Sequence, residues 1–235
     1  MPSTVSQRPI DKSHALQPTK ILYIRPGQGT IHSEALDLTP YLLSTYTDSI
    51  TTSFQDSAQR VLRANPALQP DWRAIREHWY SNSNVKVFDV RLAGADGTEA
   101  TEVANVHSPI MALGTTTIAF PPSSPHCTHK LIVTPVSALA RAQSFVKDSI
   151  PHLWEYTDVS QTSNPKECSS RQISLYKADS VKRIEVARYV SDSGKFEVGG
   201  ILVVEEREID ALVTFCTTLA TLGQRDSFRM PREAS

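Results

Sequence analysis

Between Asp210 and Arg225 the chain runs from Ala211 to Gln224 (ALVTFCTTLATLGQ) without a single charge. Ile209, Leu212, Val213, Cys216 and Leu219 fall on one face of a helix, while Ala211, Phe215 and Leu222 cover much of the rest. A helix apolar on nearly every side cannot lie on a water-facing surface, so something must surround it. Thr214, Thr217, Thr218 and Thr221 tolerate such burial, because a threonine hydroxyl can return a hydrogen bond to a carbonyl one turn back. The segment covers about 21 Å as a helix, against a membrane core of about 30 Å. It therefore reads as the buried helix of a domain core. Glu208 and Asp210 suit its N-terminal end, and Gly223 is placed to stop it, so the helix is expected over 208–223.

The enclosing material has to come from what precedes it. VKVFDVRL (85–92) alternates, and Gly94-Ala95-Asp96-Gly97 reads as a hairpin turn. Further strands are expected at 101–106, 110–120, 130–136, 152–156, 172–177, 183–190 and 195–204, with a helical turn around 138–145. Strands at such short intervals favour an antiparallel barrel or a strongly curled sheet. The fold class is accordingly β-rich α+β, with the sheet wrapped around the C-terminal helix.

Upstream, Lys20–Ile24 (KILYI) could be a short strand. Ile50, Phe54, Ala58, Val61 and Leu62 repeat at helical spacing over 49–65, and Asn65-Pro66 stops them. Trp72, Ile75 and Trp79 suggest a second helix over 71–80, with its aromatic face packed within the molecule or against a partner. The expected organisation is a disordered tail (1–19), a small helical elaboration (20–82) and a barrel with its central helix (83–230).

Net charge is -1, from 24 basic and 25 acidic residues, so bulk attraction to nucleic acid is not expected. Three widely spaced cysteines, Cys127, Cys168 and Cys216, make a disulfide framework improbable and favour a reducing compartment. No Asn-x-Ser/Thr acceptor occurs, and the first thirty residues lack a charged-then-apolar leader. An intracellular protein is expected, cytoplasmic or peripheral to a membrane, with no transmembrane span.

Three segments carry a family likeness: VKVFDVRLAGADGTEATEVANV, HLWEYTD and KRIEVARYVSDSGKFEVGGILVVEEREIDALVTFCTTLATLGQRDSF. Across Val85 to Phe228 the chain resembles the tubby C-terminal-like superfamily, which includes tubby proteins, LURP-one-related proteins, phospholipid scramblases and uncharacterised fungal proteins. The fungal branch is the nearest in character. The resemblance implies a twelve-stranded barrel around a central helix. Tubby proteins bind phosphoinositides through a basic pocket, but no matching motif can be placed in this chain. Scramblases are linked to calcium, and no carboxylate spacing of a calcium loop occurs.

Local chemistry is sparse. Lys166, Arg171, Lys177, Lys182, Arg183 and Arg188 outnumber Glu167, Asp179 and Glu185 over 166–188, a mild bias that could face an anionic lipid or be an ordinary solvated strand face. Of these, Arg171, Lys177, Lys182, Arg183 and Arg188 are the lipid-binding candidates. His126, Cys127 and His129 are the nearest approach to a metal cluster, without the fourth ligand that a structural zinc site needs. Gly27-Gln28-Gly29 reads as a plain turn, and no nucleophile signature is present. The reading is a non-enzymatic binding or scaffolding domain without a cofactor. Its partner is an unknown protein or an anionic lipid headgroup. The alternatives are peripheral attachment to phosphoinositides through the basic strands and, as an outside case, a metal-dependent enzyme around His126.

Overall fold

In the computed structural model, the described residues are 8–28, 30–78, 81–91, 100–109, 114–137, 142–157, 172–179, 181–192 and 199–227. Twelve strands close into a single antiparallel barrel in the order β1-β12-β11-β10-β9-β8-β7-β6-β5-β4-β3-β2. They are β1 (Lys20–Pro26), β2 (Ile31–Asp37), β3 (Trp72–His78), β4 (Ser81–Asp89), β5 (Thr101–His107), β6 (Thr116–Ala119), β7 (Leu131–Pro135), β8 (Gln143–Lys147), β9 (Ile150–Thr157), β10 (Gln172–Ala178), β11 (Arg183–Ser191) and β12 (Gly200–Val204). Each strand pairs with its sequence neighbour, and β1 closes the ring on β12, from Lys20↔Val204 to Ile24↔Gly200. A sheet closed on itself exposes no long edge and can face all its inner side chains onto one core.

That core is α3 (Ala211–Ser227). Residues 211 to 221 are all buried. Leu212, Val213, Phe215 and Cys216 pack with inward residues of the wall such as Leu22, Val87, Ile118, Leu131, Leu175 and Leu202. The four threonines satisfy themselves within the helix: Thr214 donates to the Asp210 carbonyl (2.8 Å), Thr217 and Thr218 to that of Thr214 (3.1 and 2.8 Å), and Thr221 to that of Thr217 (2.8 Å). Trp154 of β9 donates its indole N–H to the Thr217 hydroxyl at 3.1 Å, a polar tie between wall and plug that satisfies a buried tryptophan. The helix is displaced from the expected 208–223. Asp210 is its cap, with Oδ1 accepting from the Val213 amide at 3.0 Å, and the helix runs through Gly223 to Ser227.

A second apolar cluster lies on the outside of the barrel. Alternation along β1 and β12 sends Leu22, Ile24, Leu202 and Val204 inward and Ile21, Tyr23, Ile201 and Val203 outward. The outward set is covered by α1 (Thr39–Leu42), a 3-10 turn (Leu43–Thr45) and α2 (Thr52–Ala64), through Leu42, Phe54 and Ala58. Thr51 caps α2, its side chain accepting from the Phe54 amide. Strands with both faces buried read as continuous apolar runs, as KILYI and GILVV do.

Several expectations need correction. The segment 71–80 does not form a helix: it supplies β3, in which Trp72 and Ala74 point inward while Arg73 reaches Glu34 outside. The helical spacing of Trp72 and Ile75 competes with a two-residue alternation whose second member is a mere alanine, and sheet closure decides for the latter. Trp79 lies outside the described residues. Residues 143–147 are strand β8, not part of a helical turn. The segment 20–82 is not an elaboration apart from the barrel, since it contributes β1, β2 and β3 and carries α1 and α2 between them. Within the segment expected to be a disordered tail, residues 8–19 are seated on the barrel, with Leu16 buried in the outer cluster.

Candidate functional site

A network of charged side chains joins the start of β1, the end of β2, the residue before β3 and the end of β4. Lys20 sits between Asp37 (2.7 Å) and Asp71 (3.1 Å). Arg91 pairs with Asp89 (2.7 Å) and lies over the Trp72 ring, 5.5 Å from its centroid. Hydrogen bonds from Lys20 and Thr39 hold the Asp37 carboxyl below its usual range, against the desolvation that would raise it. Burial pushes the Glu206 carboxyl up, helped by Asp210 and Asp37. Beside this network runs an open groove of about 600 Å³, lined by Thr19, Lys20, Asp37, Thr39, Pro40, Leu43 and Ser44. Tyr41 and Leu43 of this region are exposed, at 43% and 40%.

The metal candidates do not converge. His126 turns its Nδ1 to Asp210 Oδ2 at 2.8 Å, so it braces the cap of α3. Cys127 is buried and donates to the His129 carbonyl at 3.2 Å, while His129 faces Asp148 at 3.8 Å. Among the described residues no group of three or more His, Cys, Asp or Glu side chains is arranged to hold a metal ion.

The four lipid candidates among the described residues are each engaged by an anion or a carbonyl. Lys177 pairs with Glu208 (2.8 Å) and Lys182 with Asp11 (3.4 Å). Arg183 pairs with Glu155 (3.0 Å) and lies over the Tyr176 ring at 4.7 Å. Arg188 binds both oxygens of Glu185 (2.8 and 2.6 Å) and donates to the Asp48 carbonyl, beneath the connection between α1 and α2. Arg171 lies outside the described residues. Four cations pointing at four separate partners do not make one anion pocket.

Sequence reasoning missed the N-terminal strap. Arg183 donates its amide to the Pro9 carbonyl (3.1 Å) and accepts from the Asp11 amide (2.9 Å), a parallel bridge centred on Ile10. Arg8 donates to the Asp179 carbonyl. His14 faces Glu205 at 3.4 Å, and the Gln17 amide donates to the same carboxylate at 3.2 Å. The signals available are Ile10 and Leu16, two large apolar residues in an otherwise mostly polar stretch.

A closed twelve-stranded antiparallel barrel with an apolar helix through its centre defines the architectural class of this chain, and it agrees with the layout that the tubby-like resemblance implies. No family profile matches the sequence, and neither does any curated protein. A solved structure of a protein from Arabidopsis thaliana is similar over 92% of this chain and 97% of that one, with 8% identity and a TM-score of 0.44. Among the described residues no helix is long and apolar enough to cross a membrane.

Proposed function

We propose that this chain is a non-catalytic binding domain of tubby-like character, working inside the cell and engaging a protein partner through the outer surface of the barrel. The observation that carries this is the filled interior. Small-molecule sites are concave and largely preformed, and here the volume a barrel could offer is occupied by α3, buried from residue 211 to 221. Recognition is thereby left to the wall and the rims. The groove between β1, β2 and α1 is one concave outer feature, with exposed Leu43 beside the charged Lys20 and Asp37. Apolar and charged groups side by side suit a protein interface better than a lipid headgroup.

The test is affinity capture from native extract with the intact chain and with Leu43→Glu, alongside flotation on phosphoinositide vesicles. A stoichiometric protein lost with Leu43→Glu, without flotation, supports the reading. Flotation that falls with salt and with Lys177→Glu or Lys182→Glu replaces it with the lipid alternative.

A further inference from the structure

Closing a barrel abolishes sheet edges only where every strand reaches its neighbours. β11 does not: it begins at Arg183, whereas its first β12 partner is Ala187, opposite Val204. The start of β11 therefore overhangs β12. The Val186 carbonyl is taken by the Glu205 amide at 2.9 Å. Both backbone groups of Arg183 are taken by residues 9–11, in a parallel bridge outside the twelve strands.

The strap is held unevenly. Leu16 is anchored at 6% exposure in the outer cluster, and the Thr19 amide donates to the Val204 carbonyl at 2.9 Å. Residues 8–14 have no buried apolar anchor, and beyond the bridge to Arg183 they are tied by side chains: Arg8 to the Asp179 carbonyl, Asp11 to Lys182 and His14 to Glu205. Ile10 is only partly covered (41% exposed), and the Asp11–Lys182 pair is a surface contact whose lysine is 53% exposed. Exposed ion pairs contribute little, and a segment with few apolar contacts opens far below global unfolding.

We propose that residues 8–14 occupy, in cis, a strand-addition site on the overhanging edge of β11, and that an extended segment of a partner protein, with a carboxylate where the strap has Asp11, displaces them. This rests on the binding-domain reading and adds a second surface to it. Backbone pairing to an exposed edge supplies affinity without a deep pocket, and flanking side chains supply preference. Here Arg183 offers one donor and one acceptor, and Lys182 next to it selects a carboxylate, as Asp11 already shows in cis. Exposed Val181 (68%) flanks the same edge and gives the incoming segment an apolar contact.

The test uses the full-length chain and a fluorescent peptide of residues 7–14 as the probe. Asp11→Pro removes the amide that bonds Arg183 and the carboxylate that pairs with Lys182, and leaves Leu16 in place. The variant should bind the probe at least about tenfold more tightly than the unaltered chain, because the cis competitor is weakened. Adding Lys182→Glu, or replacing the aspartate of the probe by lysine, should remove that gain. Equal binding by both chains, or none by either, overturns the proposal. A measurement on the unaltered chain guards against misfolding of the variant: the Asp11 amide should exchange with solvent at least about a hundredfold faster than that of Tyr189. Equal protection would make the strap a fixed part of the fold and would overturn the inference as well. Failure of either test with partner capture through Leu43 intact would leave the binding-domain reading standing.

Discussion

Trp72 stacks on Phe215 with ring centroids 5.9 Å apart and an interplanar angle of 26°, joining the wall at β3 to the central helix. Both rings are buried, and the Trp72 indole N–H finds no acceptor among the described residues. The pair thus contributes through packing alone. Phe215→Ala should lower unfolding free energy by about 3–5 kcal/mol in urea titrations, as truncation of a buried aromatic does. Trp72→Phe, which removes the unpaired N–H and keeps most of the contact, should cost distinctly less than Trp72→Ala. Phe215→Asp or Leu212→Asp should give no cooperative transition, since either buries an unpaired charge.

The bond from Trp154 to Thr217 makes the opposite case. Thr217→Val keeps the shape and removes the acceptor, leaving the Trp154 N–H buried and unpaired. A loss of about 1–3 kcal/mol is expected from chemical denaturation. Trp154→Phe combined with Thr217→Val should recover part of that loss, because no orphan then remains.

Asp210 serves both the helix and the rim, accepting from the Val213 amide and facing His126. Asp210→Ala should cost about 0.5–2 kcal/mol, the range of a lost N-cap. Asp210→Asn can keep the cap and should cost less in thermal melts. A metal-centre role for His126 would instead show as a metal-dependent shift in those melts, which is not expected.

Burial lowers the pKa of His152 to about 4, with Lys177 and Lys147 lowering it further and the Ile150 carbonyl and Asp148 opposing them. Its ring is 2% exposed and stacks on Phe145 at 5.0 Å. The folded value lies below the free value of about 6.5, so the unfolded chain binds more protons between the two. Stability from this group is then complete above about pH 6.5 and is lost as pH falls toward 4. Urea midpoints across that window should fall less steeply in His152→Phe than in the unaltered chain. Equal slopes would remove His152 from the account of acid sensitivity.

The sequence shows the plug and the β character of its cage more clearly than the way the cage closes. An uncharged helix such as 211–224 has one physical solution, burial, and the apolar runs of β1 and β12 follow from it. β2 was invisible because IHSEALD carries its polarity into the fold, where Glu34 is buried and satisfied by Arg25 and Arg73. β3 was misread because its inward partner to Trp72 is only Ala74. The candidate cations were legible as a charge bias, but the carboxylates that neutralise them, such as Asp11, Glu155 and Glu208, are distant in sequence. Pairing between distant segments is a property of closure and leaves no local trace.

The central claim is that α3 seals the interior and leaves recognition to the outside. Native-state hydrogen exchange of the amides of Val213 to Ala220 tests it most directly. They should exchange only through global unfolding, with the free energy measured by denaturation and together with the core strands. Exchange of α3 at a markedly lower free energy, while the strands stay protected, would mean that the helix leaves the barrel and opens an inner site.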